Sequence, residues 1–395
     1  MLIINAVIIN GLGSSPVENG AVLIEGQKIK WIGDSGDLLK LPQTEEIIDA
    51  KGKTLHPGLI NAHVHLSQSG SAAPASQDLN VAEGYEALQA AKNASDTLKS
   101  GTTTVRDLGA RTQAVIHLSE AISRGWLKGS RVVSYGRCLT MTGGHGQFLG
   151  READGVEGLR LAARQELKAG ARGIKLMATG GVLTPGTQLN SSQLTVEEMA
   201  AAVNEAHHSG KLAAAHAIGT QGIKNALLAG MDSIEHGSYL DEECIELMLT
   251  KGSFLVPTLT AYHKVITHGR KAGIPEHSVK KAESAWESCM KSVAMARAAG
   301  VKIVVGTDAG TPFNLHTGVA LEIRLLVEAG LTPLEAIAAA TLDAARLLQT
   351  DDELGSIEMG KNADLVLIQG NPLQEIKDLE NVKMVIKDGV VSYSQ

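Results

Sequence analysis

The chain has 395 residues, of which 44% are hydrophobic and 20% charged, and its 36 Lys and Arg against 43 Asp and Glu give a net charge of −7. This much apolar sequence excludes a disordered chain, and glycine without a triplet period excludes a collagen. Because the sequence has no basic excess and no block of Lys and Arg, we expect a small-molecule substrate, with neither nucleic acid nor a membrane as partner.

Cysteine use and the N-terminal segment bear on the cellular compartment. Cys138, Cys244 and Cys289 are far apart and form no C-x-x-C motif, which favours a reducing compartment. The apolar N-terminus has no basic region or cleavage site, and the sequence has no uncharged apolar run of about 18 residues. We therefore predict a cytoplasmic protein without a membrane span, and we expect a homo-oligomer.

Both ends of the chain carry short strand patterns separated by turn residues. The patterns are Leu2–Ile9, Ala21–Glu25, Lys28–Ile32, Glu46–Asp49, Ala363–Ile368, Val382–Lys387 and Val390–Tyr393. We predict one small β-sandwich domain that is built from residues 1–57 and 347–395.

The middle of the chain, residues 58–346, alternates apolar runs with amphipathic helical stretches, one of which should begin at Thr195. The apolar runs are Leu59–His65, Thr102–Asp107, Arg131–Tyr135, Gly173–Met177, Leu212–His216, Asp232–His236, Ser253–Pro257 and Ile303–Asp308. Eight strands alternating with helices predict an α/β fold, a (β/α)8 TIM barrel with parallel strands. The alternative is an open doubly wound sheet, but no G-x-G-x-x-G motif follows the first strand.

Side chains that can bind a metal occur at the ends of five of these strands. They are His63, His65, Lys175, His216, His236 and Asp308. The C-terminal ends of barrel strands meet at one face, and residues two apart on a strand face the same way. Imidazole and carboxylate groups suit a divalent cation such as Zn²⁺. Each residue alone also has a structural interpretation, as a hydrogen-bonded histidine or the first residue of a loop.

Lys175 is the unusual member of this set, because an ammonium group is a poor neighbour for a metal ion. Burial lowers the pKa of a lysine, and a neutral amine can add CO₂ to form a carbamate. The carbamate is an anion with two oxygens that could bridge two ions. The alternative is a lysine that binds a substrate phosphate or carboxylate directly.

The run Leu55–His65, with its sequence LHPGLINAHVH, resembles the amidohydrolase superfamily. Lys175, His216, His236 and Asp308 follow in the order of that family, and the segment Gly360–Val366 is similar to its return into the β-sandwich. Asn61 stands where many members have Asp, a position that is not a ligand. The resemblance covers nearly the whole chain.

The resemblance implies a site for two divalent ions, with zinc as the expected metal. His63, His65 and Asp308 would hold the more buried ion, and His216 and His236 would hold the second. A carboxylated Lys175 and a hydroxide would bridge them. Asp308 would also be catalytic, because it could take the proton of the hydroxide and deliver it to the leaving nitrogen.

Glycine-rich loops after the third and fourth strands make the chain similar to one subgroup of this family. The sequences around Gly143-Gly144-His145, Lys175 to Gly181 and Glu235 to Tyr239 are similar to a subgroup of Xaa-Pro dipeptidases and Arg/Lys carboxypeptidases, related to imidazolonepropionase. The subgroup implies that His145 and Tyr239 contact the oxyanion or a substrate carboxylate. Alternatively, His145 braces its loop and Tyr239 caps a helix. Arg137 and His316 are further candidates without an assigned role.

The resulting prediction is a metal-dependent hydrolase that cleaves the amide bond of a dipeptide or N-acyl amino acid with a metal-bridging hydroxide. The same centre could instead act on an aryl amide, phenylurea, carbamate, lactone or phosphotriester. A second alternative is a catalytically silent metal-binding protein, which the complete set of ligand residues disfavours.

Overall fold

The computed structural model describes residues 1–40, 46–73 and 81–395. The strands are β1 (Leu2–Ile8), β2 (Val17–Glu25), β3 (Lys28–Asp34), β4 (Ile47–Asp49), β5 (Thr54–Pro57), β6 (Leu59–Val64), β7 (Thr102–Asp107), β8 (Arg131–Ser134), β9 (Cys138–Thr140), β10 (Gly150–Glu152), β11 (Gly173–Met177), β12 (Leu212–Ala217), β13 (Ser233–His236), β14 (Phe254–Val256), β15 (Leu365–Ile368), β16 (Val382–Lys387) and β17 (Val390–Ser394).

The helices are α1 (Glu83–Lys99), α2 (Ala114–Ser123), α3 (Gly155–Ala169), α4 (Val196–His208), α5 (Thr220–Leu228), α6 (Glu242–Lys251), α7 (Leu259–His268), α8 (Glu276–Ala299), α9 (Val319–Glu328), α10 (Pro333–Ala339) and α11 (Leu342–Leu347). Short 3-10 helices cover Ser35–Lys40, Gln147–Leu149, Arg270–Ala272 and Ile376–Glu380. Within the described ranges, no helix is both long enough and apolar enough to cross a membrane.

The strands of the two chain ends form one mixed sheet, in the order β17-β16-β15-β5-β1-β2-β3, with β4 beside β1. The pairing of β5 with β15 joins the two ends, and Leu55 lies opposite Leu367 in that antiparallel ladder. Ile3, Val22 and Leu365 are all buried in the same apolar cluster. The predicted union of both ends is therefore present in the structure.

Hydrogen bonds connect the strands of the predicted sandwich domain to one another. Among the described residues, all eight strands belong to one connected sheet and not to two separate sheets. The reason is β5, which pairs with β1 on one side and with β15 on the other. A single short strand thus links the N-terminal strands of this sheet to the C-terminal ones.

The middle of the chain forms two parallel sheets, β6-β7-β8 and β10-β9-β11-β12-β13-β14. Seven of the eight predicted apolar runs coincide with strands β6, β7, β8, β11, β12, β13 and β14. Helices connect most of these strands, and within each sheet the predicted strands are neighbours in chain order, while β8 and β11 belong to different sheets. Only the short strand β10 departs from chain order, so the described strands that match the predicted series show no switch point of a doubly wound sheet.

The predicted eighth strand, Ile303–Asp308, is not a regular strand in the structure. Isolated bridges pair Ile303 with Leu255 of β14 and Ala309 with Val64 of β6. The ladder between them is broken, because the Thr307 and Asp308 amides both point to the carbonyl of His63. The segment still lies between β14 and β6, while the closed barrel stays a prediction from the sequence.

One predicted helix start is confirmed in detail. The Thr195 side chain accepts a hydrogen bond from the Glu198 amide, and the Glu198 carboxylate accepts one from the Thr195 amide. This capping box satisfies two of the amides that a helix start leaves without partners. Helix α4 therefore begins immediately after Thr195, where the sequence pattern placed it.

Candidate metal centre

His63 and His65 lie at the end of β6, where the alternation of the strand turns both side chains to the same side. Both are buried, with 1% and 5% of their surfaces exposed, and their ring centroids are 5.3 Å apart. Gly306 permits this packing, because a Cβ there would lie 2.7 Å from that of His63. The two imidazoles therefore occupy a fixed position at the end of the sheet.

Asp308 completes a group of three with these histidines. Its Oδ1 atom lies 3.3 Å from His63 Nε2 and 3.2 Å from His65 Nε2. The candidate ligand atoms of all three residues lie within 4.8 Å of one another. Asp308 has a φ of +57°, an uncommon conformation for a residue other than glycine. Strain of this kind is concentrated at functional sites.

His216 and His236 extend the cluster from the ends of β12 and β13. Their ring centroids are 4.5 Å apart, and the His236 ring is 5.3 Å from that of His63. His236 also has a positive φ, of +72°. The structure thus brings together four of the histidines that the sequence analysis selected.

Each of these four rings uses one nitrogen for a hydrogen bond to a protein oxygen. His63 Nδ1 lies 2.8 Å from Glu235 Oε2, His65 Nδ1 2.9 Å from the Gly109 carbonyl, His216 Nε2 3.1 Å from the Gly180 carbonyl and His236 Nδ1 2.6 Å from Thr258 Oγ1. Carbonyl and carboxylate oxygens accept only, and the Thr258 hydroxyl donates to Pro257, so each bonded nitrogen carries the proton. When the ring is neutral, its lone pair is on the other nitrogen.

This arrangement of protons tests whether the residues fit a metal ion. With the protons on Nδ1, the Nε2 lone pairs of His63 and His65 face a carboxylate oxygen of Asp308. Acceptors this close repel one another unless a proton or a metal cation lies between them. Neutral imidazoles held by a second hydrogen bond, together with a carboxylate, are the usual ligands of divalent cations such as Zn²⁺. The donor set therefore fits a metal.

Lys175 lies in β11, is 1% exposed and lines the same cavity as the histidines and Asp308. Among the described residues, its Nζ atom has no hydrogen-bond partner. Burial lowers the pKa of Lys175 to about 8, so a fraction of the amine is neutral near neutral pH. A buried amine without a partner is the second observation that fits a metal centre at this place.

Electrostatics keep the aspartate of the cluster ionised. Burial acts to raise the pKa of Asp308, but His63 and His65 beside it hold that pKa well below its ordinary value. Burial lowers the pKa of His216 and of His236 well below the ordinary value, which keeps both rings neutral. One anionic and several neutral donors thus converge on the cavity.

The cavity has an empty volume of about 730 Å³. Its polar end is the cluster described above, and His145 stands next to it with its ring centroid 4.3 Å from that of His216. His145 Nδ1 lies 2.7 Å from Thr184 Oγ1. The rest of the wall is mostly apolar and includes Phe148, Leu149, Met177, Val182, Leu183, Ile218, Ala261 and Val265.

The structure does not bring Tyr239 to this cavity. Its hydroxyl donates to the Ser284 carbonyl at 3.3 Å, and its side chain is absent from the described lining. The physical reason is that the chain turns after His236, so that the next aromatic side chain packs against α8. Tyr262, from α7, lines the cavity instead, and its hydroxyl lies 2.8 Å from Ser238 Oγ.

Arg137 and His316 are also placed away from the lining. Arg137 pairs with the buried Glu166 through its NH2 atom, at 2.7 Å. His316 is 4% exposed, and its Nε2 lies 3.1 Å from the Gln68 carbonyl. Both residues brace neighbouring segments in the structure.

Sequence reasoning missed two buried charged residues under the cluster, Glu235 and Arg106. Glu235 contacts His63, and Arg106 contacts Glu235 through its NH2 atom at 2.8 Å. A signal was present, because both are charged residues inside predicted strands. Asp107, the last residue of β7, braces the neighbouring loops by accepting hydrogen bonds from the Leu66 and Gly109 amides.

Known proteins resemble this chain along nearly all of its length. Residues 54–391 match the amidohydrolase family. The ochratoxinase of Aspergillus niger is 33% identical over 410 aligned residues, which cover 94% of this chain and 81% of that protein. A crystal structure of a Xaa-Pro dipeptidase with bound methionine in the active site has a TM-score of 0.92 and 36% identity, covering 100% of this chain and 99% of that one. A prolidase complexed with N-methylphosphonate-L-proline has a TM-score of 0.90 and 32% identity, with 100% and 99% covered.

Proposed function

Because this chain belongs to the amidohydrolase family, we propose that it hydrolyses the amide bond of a dipeptide or an N-acyl amino acid. The observation that carries the proposal is the convergence of six side chains on one cavity: His63, His65, Lys175, His216, His236 and Asp308.

The residues divide naturally between two divalent ions. His63, His65 and Asp308 would hold the more buried ion, since their ligand atoms already form one compact group. His216 and His236 would hold the second, and Lys175, as its carbamate, would lie between the two. Zinc is the metal that we propose from the donor chemistry. Such ions, when bound, lower the pKa of water and polarise the carbonyl group of an amide.

Asp308 is the residue that we propose for proton transfer. Its ionised carboxylate can accept a proton from the attacking water while the new C–O bond forms. It then returns this proton to the amide nitrogen as the C–N bond breaks, so that an amine leaves in neutral form. The 13% exposure of its side chain leaves Asp308 accessible from the cavity, unlike the fully buried carboxylate of Glu235.

His145 is the proposed substrate-binding residue. Burial lowers the pKa of His145 to about 3, so the ring is neutral at neutral pH and acts as a hydrogen-bonding group. The packing of Gly181 against it fixes its position, because a Cβ at Gly181 would lie 2.3 Å from the ring. Because its ring lies beside that of His216, a proposed metal ligand, we expect it to reach a carbonyl oxygen or a carboxylate of the substrate.

The wall of the cavity favours an apolar substrate. Apart from Lys175, no Lys or Arg is present in the described lining, and outside the histidine cluster most of the lining side chains are aliphatic or aromatic. An apolar group gains free energy by leaving water for such a surface, and a charged group would lose its hydration without a partner. We therefore expect amides with apolar side chains to be better substrates than amides with charged ones.

The test is a substrate screen on the metal-loaded protein. The protein is prepared with zinc and bicarbonate, and its metal content is measured alongside the release of amine from Xaa-Pro and other dipeptides and from N-acetyl amino acids. We expect about two ions per chain and faster release from Leu, Met and Phe substrates than from Glu or Lys substrates. Two bound ions without hydrolysis of any panel member would favour the catalytically silent alternative.

A second candidate is hydrolysis of an aryl-substituted amide. The same apolar wall favours it, and so does the 33% identity with an ochratoxinase over 94% of the chain. The metal centre cannot separate the two candidates, because both need the same nucleophile. Adding N-aroyl amino acids and anilides to the screen decides between them, since a ratio of kcat/KM that favours the aryl amides would select this second candidate.

A further inference from the structure

A buried ion pair lies beneath the candidate metal centre, and the proposed reaction does not use it. Arg106 comes from β7 and Glu235 from β13, and both side chains are fully buried. The Arg106 NH2 atom lies 2.8 Å from Glu235 Oε1. This pair therefore joins strands of the two different parallel sheets.

Every oxygen of the Glu235 carboxylate has a partner. Its Oε1 atom accepts from Arg106 and, at 2.5 Å, from the Ser233 hydroxyl, while Oε2 accepts from His63 Nδ1 at 2.8 Å. With three donors around it, the carboxylate has one orientation. The proton of His63 is thereby kept on Nδ1, and Nε2 is turned toward Asp308.

Arg106 holds His63 by a second route as well. Its Nε atom donates to the carbonyl of Ala62 at 2.6 Å, and this carbonyl belongs to the peptide bond that leads into His63. Its guanidinium carbon lies 5.5 Å from the centre of the Tyr135 ring, which is itself buried. Arg106 thus fixes both the backbone before His63 and the carboxylate that contacts the His63 ring.

Stability alone does not explain such a pair, because burying two charges costs about as much as their attraction returns. A carboxylate that accepts from the outer nitrogen of a metal-binding histidine, in contrast, fixes the ring and raises its basicity as a ligand. We infer that Glu235, held by Arg106, is a positioning residue that prepares His63 to bind the more buried metal ion. This inference rests on the proposed metal centre.

The test measures metal binding and not only turnover. In Glu235→Gln, we expect the affinity of the tighter zinc site, measured by competition with a chelator, to fall roughly 10- to 100-fold. The absorption spectrum of the Co²⁺-loaded variant should also change, since the ligand field at His63 changes. A merely structural loss would lower thermal stability without altering this spectrum.

Glu166→Gln is the matched control. Glu166 is also fully buried and pairs with an arginine, Arg137, at 2.7 Å, but it contacts none of the proposed ligands. We expect its zinc affinity and Co²⁺ spectrum to equal those of the wild type.

A double variant keeps the test valid if an unpaired Arg106 prevents folding. Arg106→Leu combined with Glu235→Gln removes both charges together, and it should show the same loss of zinc affinity. Wild-type zinc affinity and an unchanged Co²⁺ spectrum in a folded Glu235 variant would overturn the inference. If the wild type bound zinc but cleaved no amide, the proposed function would fail while this inference could still hold.

Discussion

Three residues with positive φ surround the cluster of imidazoles. His236, Thr258 and Asp308 have φ values of +72°, +54° and +57°, and none of them is glycine. Each such residue costs on the order of 1–3 kcal/mol. His236 and Asp308 are proposed ligands, and Thr258 orients His236. The backbone therefore adopts unfavourable conformations at the residues that direct polar side chains into the cavity or orient them there.

Lys175 is the residue on which the proposed pair of ions depends most. In Lys175→Ala, the amine that would carry the bridging carbamate is absent, so we expect the loss of most bound zinc and of amide hydrolysis. The measurement is metal per chain by mass spectrometry, with and without bicarbonate during loading.

Lys281→Ala is the control for this experiment. The Lys281 Nζ atom donates to the carbonyls of Gly181 and Thr184, both at 2.9 Å, and it lies outside the described lining of the cavity. Its replacement should leave the zinc content unchanged. A Lys175→Ala protein with wild-type zinc content and rate would contradict the carbamate hypothesis.

His145 gives a prediction about substrate recognition. A hydrogen bond to a charged group contributes roughly 1.5–3 kcal/mol, so His145→Ala should lower kcat/KM for substrates with a free carboxylate by roughly 10- to 100-fold. Substrates whose carboxylate is capped as an amide should lose less. Kinetics on matched free and capped N-acetyl amino acids measure the difference. An equal loss for both members of each pair would show that His145 acts on the reacting carbonyl instead.

At the scale of elements, the positions of the strands and of their terminal ligands could be predicted from sequence. Period-two alternation and the rule that parallel strands end at one face place His63, His65, His216 and His236 together without any long-range information. Lys175 was selected for a different reason, since it is a charged residue inside an otherwise apolar run. The local sequence pattern was therefore sufficient to predict the position of each side chain that depends only on its own strand.

What could not be predicted depends on pairings between distant parts of the chain. Arg106 and Glu235 are separated by 129 positions, and no local pattern indicates that they meet. The orientation of the Tyr239 side chain depends on its packing against Ser284. The irregular backbone after Ile303 depends on its two neighbouring strands, β14 and β6. The hydrogen bonds of β5, which join the N-terminal strands to the C-terminal strands, also depend on residues that are far apart in sequence.

Helix α7, which carries Tyr262 into the cavity wall, begins on a buried carboxylate. The Leu259 and Thr260 amides donate to the two oxygens of Glu322, at 2.8 and 2.7 Å. Burial raises the pKa of Glu322 from 4.5 to about 7. Because the folded protein binds this proton more tightly than the unfolded chain, the Glu322 contribution to the free energy of unfolding is largest below about pH 4.5 and falls as the pH rises through about 7.

The corresponding variant is Glu322→Gln, which cannot titrate. As the pH is raised from about 5 to about 8, we expect the melting temperature of the wild type to fall relative to that of the variant. Thermal unfolding of the metal-free proteins across this range measures the difference. A difference in melting temperature that stays constant with pH would show that Glu322 is already ionised throughout.

At the scale of the whole molecule, the terminal sheet is attached to the parallel sheets by charged groups as well as by apolar packing. Arg131, at the start of β8, donates from NH1 to Asp364 Oδ2 at 2.9 Å, and its NH2 atom pairs with Asp388. Asp364 is buried, and its other oxygen accepts from the Asp388 amide at 2.8 Å. One arginine from the middle of the chain thus binds two aspartates from its C-terminal end.

Replacing this arginine tests how strongly the two parts are coupled. Arg131→Met leaves Asp364 without its cationic partner in a buried place, so we expect the free energy of unfolding to fall by roughly 2 kcal/mol. Arg164→Met is the control, because Arg164 is 60% exposed in its pair with Glu205, and such a pair contributes at most about 1 kcal/mol. Urea unfolding followed by circular dichroism measures both changes. Zinc content should be unaffected in either variant, since Arg131 lies at the end of β8 opposite to the cavity. An equal loss of stability in the two proteins would mean that the Arg131 pair does not couple the terminal sheet to the rest.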